Sequence, residues 1–508
     1  VVPVPPIAEA CLTLPPSTGV APIHVRVVVI GSGFGGLGAA IRLQQRGIGD
    51  FVVLERADTL GGTWRDNRYP GAACDVPSHL YSFSFAPNPS WSRWYSPQPE
   101  IREYLERCAT EFGIRARLRF GHEVRRIDWD ESARRWRVQT FRGEYVAQFV
   151  VAAPGPLSEP KMPDLPGLES FGGRMFHTAR WPADLDLTGK RIAVIGTGAS
   201  VIQVVPAIQP LASRLVVFQR TPPWVVPRND FALGGGLQPW LERAPLLRRF
   251  VRGGLYVSHE IAGLPFRHPP LARLGQQIAR FQLRRQVPDP ALRRALTPGY
   301  LIGCKRVLLS DDWYPALQRP NVTLVTGGAQ AITPRGVVGA DGVEHAADVI
   351  VLGTGFDVTE VRFAERVYGR DGRRLADDWR PSPRAHLGTT VCGYPNLFFL
   401  LGPNTALGHS SVVLIVEAQI EHVLNAITRA DAQGYEVLEP RPEAQARFAA
   451  AVDGRMRRTV WLAGGCRSWY LDSAGRNSAI WPGSVGAFRR RVAPFRDSEY
   501  RCDPVRAP

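Results

Sequence analysis

Lysine is almost missing from this chain of 508 residues: only Lys161, Lys190 and Lys305 stand among its 62 basic side chains, so 59 are arginine. No run of 18 apolar residues occurs, so no membrane-spanning helix is expected. The seven cysteines (Cys11, Cys74, Cys108, Cys304, Cys392, Cys466 and Cys502) are odd in number, scattered, and never spaced as CxxC. That pattern argues against a secreted disulfide framework, a zinc knuckle or a dithiol redox centre. The first 22 residues, opening VVPVPPIAEACLTLPPSTG, lack a basic segment and are broken by proline. They read as a flexible extension rather than a signal peptide, and a cytoplasmic location is expected. No metal is expected.

What is present describes a folded protein of several domains. The length suits two to four domains, and 44% apolar with 21% charged residues excludes a disordered chain. Net charge is 62 − 46 = +16. Half of it falls between residues 240 and 300, where eleven arginines face three acidic residues in a stretch that reads as helices broken by proline. A solvated helical insertion, about 230–300, is the reading taken for it. A membrane-surface element and a lid over a substrate are the alternatives, but membrane contact is not expected. Nucleic acid is not expected, because no recognition motif accompanies the charge.

Two mononucleotide-type units stand about 165 residues apart. In the first, a β-branched strand at 25–30 runs into GSGFGG, then a helical pattern, then the strand FVVLE (51–55). Gly31 allows the tight turn, Gly33 lets backbone approach a pyrophosphate, and Gly36 lets helix pack on strand. Glu55, 24 residues past Gly31, ends the second strand where a carboxylate binds ribose hydroxyls. In the second unit, RIAVIG leads into TGASVIQVV and then RLVVFQR (214–220). Gly196 and Gly198 match the first two glycines, but Val201 stands in place of the third, and the residue 24 past Gly196 is Arg220. A carboxylate repels a 2′-phosphate, whereas an arginine pairs with it through a planar fork. The first unit therefore suits FAD and the second NADPH.

The chain is expected to be α/β, with two dinucleotide-binding, Rossmann-like domains. Residues 23–165 form the first part of a discontinuous FAD domain. Residues 166–345 form an inserted NADP domain carrying the helical subdomain. Residues 346–508 complete the FAD domain, with DVIVLGTGF (348–356) returning to its sheet, and end in a tail.

Two longer patterns make the reading specific. FGGRMFHTARWP (171–182) fits F-x-G-x-x-x-H-x-x-x-W-P, and GGTWRDNRYPGAACD (61–75) fits G-G-x-W-x-x-x-x-Y-P-G-x-x-x-D. Both resemble fingerprints of Baeyer–Villiger monooxygenases, over about residues 25–490. The resemblance implies an FAD enzyme that uses NADPH and dioxygen, through a flavin C4a-peroxide, to oxidise a ketone to an ester or lactone. A thioether is the second implied substrate. By the same resemblance, Arg306 in CKRVLLSDDWYPAL is the arginine beside the flavin, held by Asp75. Lys305 joins Arg220 and Thr221 around the 2′-phosphate. Trp469 covers the nicotinamide nucleotide, and GTGFD (353–357) is an interdomain motif. Cofactor contacts are further expected from Phe34, Arg56, Thr63, Trp64, Tyr69, Tyr81 and Val124 toward FAD, and from Thr197, Ser200 and Gln203 toward NADPH.

The remaining polar residues of interest divide by surroundings. His177, inside the first fingerprint, is expected to be structural, and Cys74 a packed thiol. In GPNTALGHSS (402–411), His409 is a candidate to face the flavin, and Asn404 and Ser410 either face it or cap the helix that follows. The rivals are an N- or S-oxygenating flavin monooxygenase, a reductase of the same fold, and a flavin-binding regulator without catalysis. The first would lack the closing Trp181–Pro182, the second would carry a CxxC or pass electrons to a partner, and the third would not need Arg306, Lys305 and Arg220 together.

Overall fold

A computed structural model describes residues 21–234, 236, 238–358 and 362–506. Residues 1–20 of the expected N-terminal extension lie outside the described residues.

The chain opens with β1 (Ile23–Ile30), α1 (Phe34–Gln45) and β2 (Phe51–Leu54), followed by two helices, α2 (Thr63–Asp66) and α3 (Gln98–Glu111). Four strands follow: β3 (Leu118–Arg119), β4 (Val124–Asp130), β5 (Arg135–Thr140) and β6 (Gly143–Ala152). β1 runs parallel to both β2 and β6, with Val27 opposite Phe51 and Phe149. Val27, Val28 and Val29 are fully buried, as a strand covered on both faces requires. The turn after β1 therefore lies where neighbouring strands diverge to either side, the place at which open α/β sheets bind ligands.

The second domain repeats this plan. It contains β7 (Arg174–His177), β8 (Arg191–Ile195), α4 (Val201–Ile208) and β9 (Arg214–Gln219), then the short β10 (Val225–Val226). The helical insertion comes next, as α5 (Gln238–Arg243), α6 (Pro245–Ala262), α7 (Leu264–Arg267), α8 (Pro269–Gln286) and α9 (Pro290–Ala295). The chain returns through β11 (Leu308–Leu309), α10 (Trp313–Leu317) and β12 (Val322–Thr326). Three antiparallel strands, β13 (Ala329–Thr333), β14 (Gly336–Gly339) and β15 (Glu344–Ala346), lead into β16 (Val349–Leu352).

The parallel sheet of this domain has the order β12-β9-β8-β16-β7. That order corrects an expectation: DVIVL does not return to the first sheet but lies between β8 and β7, with Val349 opposite Ile192 and Arg174. A strand buried on both faces is a plain apolar run, and such a run does not say which sheet it joins. The second domain thus extends past the boundary expected at 345.

The first sheet regains the chain at β17 (Val367–Tyr368), beside β4, and after α11 (Leu375–Asp378) at β18 (Leu397–Phe399), beside β6. The long α12 (Val412–Gln433) then packs on α1. β19 (Tyr435–Pro440), α13 (Pro442–Met456), α14 (Val460–Ala463), α15 (Val485–Val492) and β20 (Tyr500–Pro504) complete the chain. The insertion is anchored to both halves. Leu255 and Tyr256 of α6 pack against the first core, while Ala272 and Ala279 of α8 share a core with Trp224, Ile302, Trp461 and Tyr470.

Candidate active site

At the end of β1, Gly31 adopts φ +94°, and a Cβ there would sit 2.4 Å from the Ala153 carbonyl oxygen. At Gly36 it would sit 1.8 Å from the Gly31 oxygen. Only glycine permits this turn. Gly33 precedes α1, whose first turn has no acidic residue and no side-chain cap. The N–H groups of that turn, with the positive end of the helix dipole behind them, fit a diphosphate.

Glu55 closes β2 beneath the turn. Its carboxylate accepts from Ser32 N at 2.9 Å, Ser32 Oγ at 2.7 Å, Ala57 N at 3.0 Å and Arg65 Nη1 at 2.9 Å. Burial alone would raise its pKa, but Arg65 and the hydrogen bonds from Ala57 and Ser32 outweigh it and hold the group below its ordinary range. These four bonds make Glu55 a brace for the glycine turn. Around it, Trp64 Nε1 donates to the Tyr81 hydroxyl at 3.0 Å, and the Phe34 ring meets Tyr81 edge-on at 5.1 Å. Thr63 opens α2. Arg56 pairs with Glu159 at 2.5 Å, and Val124 is buried at the start of β4 opposite Thr140.

The second turn differs in one instructive way. Gly196, at φ +119°, has the Gly353 oxygen 2.4 Å from where its Cβ would be, and Gly198 faces open space. Thr197 Oγ1 donates to Thr221 O at 3.1 Å, fixing the end of β9 to the turn. Ser200 precedes α4 without capping it. Val201 is fully buried, and its Cγ2 lies 2.0 Å from where a Cβ on Gly353 would be. The small residue missing from the helix is supplied by the strand across from it, so helix and sheet still pack.

Arg220, at the end of β9, is exposed, and Lys305 is half-buried. Burial first, and the charge of Arg220 second, lower the Lys305 pKa. The ammonium also stands over the Tyr300 ring at 5.2 Å. Two cations close enough for one to depress the other's pKa fit a divalent anion between them.

The domains meet where the catalytic residues were expected. Tyr69 donates to Gln203 Oε1 at 3.0 Å, and Gln203 Nε2 donates to Ala73 O at 3.0 Å. The fingerprint loop is thereby tied to α4, giving Gln203 a domain-bridging task. Arg306 Nε donates to Asp75 Oδ2 at 2.9 Å, and its Nη2 donates to the same oxygen. Asp75 is the main cause of a raised Arg306 pKa, so the guanidinium stays cationic at any working pH.

Sequence reasoning missed Tyr470, which is buried beside this pair. Burial, together with Asp75 and against Arg306, pushes its pKa up to about 12. Its one signal was its place next to Trp469, whose ring packs on it at 4.3 Å and is itself 41% exposed. Arg228 was also missed; its Nη2 donates to Cys74 O at 3.2 Å. Cys74 is a buried free thiol, as expected.

Other expectations are corrected. The Asn404 side chain is spent on the tail: its Nδ2 donates to Asn477 O and Ile480 O, and its Oδ1 accepts from Arg476 at 2.7 Å. Ser411, not Ser410, caps α12 by accepting from Val413 N. His409 lies against α6, with Gly263 beside it and Glu260 at 3.9 Å. His177, by contrast, is structural as expected: it caps a short turn through Ala179 N at 3.1 Å and packs edge-on against Phe356 of GTGFD at 5.5 Å. Cys304 and Cys466 form a disulfide across 162 residues, which no spacing pattern announced. It ties the segment of Lys305 and Arg306 to the loop of Trp469 and Tyr470.

Comparison with known proteins agrees with this geometry. A family model described as pyridine nucleotide-disulphide oxidoreductase matches residues 28–247. A relative named Baeyer–Villiger monooxygenase, from Streptomyces coelicolor, is 52% identical over 94% of this chain and 92% of its own. A crystal structure of cyclohexanone monooxygenase from Rhodococcus sp. Phi1 bound to NADP+ is 31% identical, with a TM-score of 0.86, covering 96% of this chain and all of that one. A structure of OTEMO in complex with FAD and NADP is 28% identical, also at 0.86, over 95% of this chain and all of that one.

Proposed function

The chain belongs to the Baeyer–Villiger monooxygenase family, and from that premise we infer how its own residues run an NADPH-, FAD- and O2-dependent oxidation of a ketone to an ester or lactone. Bound FAD, once reduced by NADPH, supplies the chemistry with dioxygen: one oxygen atom enters the product and the other leaves as water. The turn at Gly31, Gly33 and Gly36 holds the FAD diphosphate. The turn at Gly196 and Gly198 holds that of NADPH, and Arg220, Thr221 and Lys305 receive its 2′-phosphate.

The observation that carries the reading is the Arg306–Asp75 pair at the junction of the two domains. Asp75 holds Arg306 through Nε and Nη2, and among the described residues Nη1 has no partner. A fixed cation with a free N–H stabilises negative charge as it develops on oxygen during attack on the ketone carbonyl. Tyr470 and the disulfide-held loop wall one side of the same place, while the Arg306 and Asp75 side chains stay 35% and 28% exposed and so open to a substrate. A thioether reaching this cleft is a second proposed substrate, one that needs no charge stabilised on a carbonyl oxygen. The reductase reading has no CxxC to support it, and the closing Trp181–Pro182 separates the chain from N- and S-oxygenating relatives.

The test is isotopic. With NADPH, a ketone and ¹⁸O-labelled dioxygen, the ester or lactone is expected to carry one ¹⁸O for each NADPH consumed. NADPH consumption that yields only hydrogen peroxide, over a broad ketone panel, would overturn the reading.

A further inference from the structure

The helical insertion does not have the surface of a solvated helix pair. None of the 18 residues of α6 is buried, yet Leu246, Phe250, Val257 and Ile261 on it are large, apolar and exposed. At 100° per residue these four fall within an arc of about 60°, and the residues flanking that arc on either side are Gly253 and Gly254. The opposite side of α6, with Leu255 and Tyr256, packs on the protein, so the apolar stripe is the outward one. α8 repeats the pattern: Leu271, Leu274, Ile278 and Phe281 lie within about 80°, while Ala272, Ala279 and Leu283 face inward. Exposures of 77% for Leu246, 78% for Phe250, 72% for Leu274 and 67% for Phe281 are far from those of packed residues. Apolar stripes of this size mark an interaction surface.

The charges beside the stripes select the partner. Arg243, Arg249, Arg273, Arg284, Arg285 and Arg294 are exposed, and none makes an ion pair among the described residues. The three acidic residues of the stretch do little to offset them. Glu260 is turned inward to Val485 N and His409, Asp289 is exposed but its carboxylate is engaged in capping α9, and Glu242 is exposed. A second copy of this chain would bring the same six cations against them, which opposes self-association. An anionic bilayer surface satisfies both features: acyl chains receive the stripe, and long arginine side chains reach the headgroup phosphates. No helix among the described residues is long and apolar enough to cross a membrane, so the contact is peripheral.

We propose that α6 and α8 form a docking surface for an anionic lipid bilayer, with Leu246, Phe250, Leu274 and Phe281 entering the interface and Arg249, Arg284 and Arg285 meeting its phosphates. This reverses the expectation of no membrane contact. It does not depend on the reading of the reaction, because none of these residues belongs to the candidate active site.

The experiment is co-sedimentation of the full FAD-loaded chain with phosphatidylcholine vesicles, with or without about one third phosphatidylglycerol. Light scattering on the free protein accompanies it. Binding is expected only with phosphatidylglycerol and is expected to weaken with salt. Phe250→Glu with Leu274→Glu, and separately Arg249→Gln with Arg284→Gln and Arg285→Gln, are each expected to weaken it about tenfold or more. Both variants should retain bound flavin and ketone oxidation, since every changed side chain is exposed. Three results would overturn the proposal: no binding of the parent chain to phosphatidylglycerol vesicles, unchanged binding by the variants, or a dimer in light scattering that Phe250→Glu dissolves.

Discussion

If Gly353 takes over the duty of the missing third glycine, adding one carbon there should loosen the NADP domain, and shortening Val201 should rescue it. A Cβ at Gly353 would lie 2.0 Å from Val201 Cγ2 but 3.5 Å from Val201 Cβ. The first distance is impossible and the second is ordinary contact. Gly353→Ala alone therefore forces α4 off β16 or drives Val201 off its rotamer, at a cost of about 1–3 kcal/mol. Val201→Ala alone removes two buried methyl groups and leaves a small cavity, costing about 1–2.5 kcal/mol. With both changes made, the methyl group added at position 353 occupies part of that cavity and the clash is gone. The double variant is expected to be no less stable than Val201→Ala, giving a coupling of about 1–3 kcal/mol. Urea unfolding of the four proteins measures this, and the apparent NADPH dissociation constant should follow the same order because the Gly196 turn rests against Gly353. Stabilities that add to within about 0.5 kcal/mol would show that the two sites do not share space, and the account of the incomplete glycine motif would fall.

Two further outcomes are expected from the site. Arg306→Ala should still let NADPH reduce the flavin but should lower ester formation by about 10²–10³-fold, with the reducing equivalents recovered as hydrogen peroxide. Equal ester yield would remove Arg306 from catalysis. Arg220→Ala should raise the KM for NADPH by about 10–100-fold through loss of a charged hydrogen bond, while the KM for NADH stays unchanged. The pH dependence follows from Lys305. Its pKa is lowered by burial and by Arg220, so the ammonium is lost as pH rises through that depressed value, and NADPH binding weakens with it. Without Arg220 the repulsion is gone, so the alkaline fall in NADPH affinity should move to higher pH. A shift to lower pH would contradict the assignment.

Much of the site was legible because it rests on local backbone demands. Gly31 and Gly196 sit at positive φ in turns that follow a strand at once, and a turn written in glycine survives any packing around it. The opposite signs of Glu55 and Arg220, equally far past the first glycine of each motif, were legible for the same reason: strand and helix lengths fix where that residue stands. What escaped depends on partners far along the chain. Val201 looked like a defect because Gly353, 152 positions later, was not yet known to lie across from it. Asn404 looked like a cofactor ligand because its short Gly-rich segment is polar, but Asn477 and Arg476 reach it first. His409 and Ser410 share that cause, since α6 and the tail decide what the segment faces. The strand Val349–Leu352 was misplaced because its burial on both sides erases the alternation that would have named its neighbours.

Composition carried a signal of its own at Lys305. Lysine fills 3 of 62 basic positions, so an arbitrary cation in this chain would be lysine about one time in 20. The position between Cys304, held to Cys466, and Arg306, held to Asp75, is one of the three. A guanidinium there would set a second planar fork beside Arg306 and within the field of Arg220, in a half-buried place. An ammonium is smaller, presents three donors in any rotation, and can lower its own pKa when no anion is present. Arg220 is exposed, while Lys305 is half-buried and its pKa is lowered by burial and by Arg220. A dianion lying between the two would oppose that lowering and favour the charged ammonium, a response that a second guanidinium would not offer.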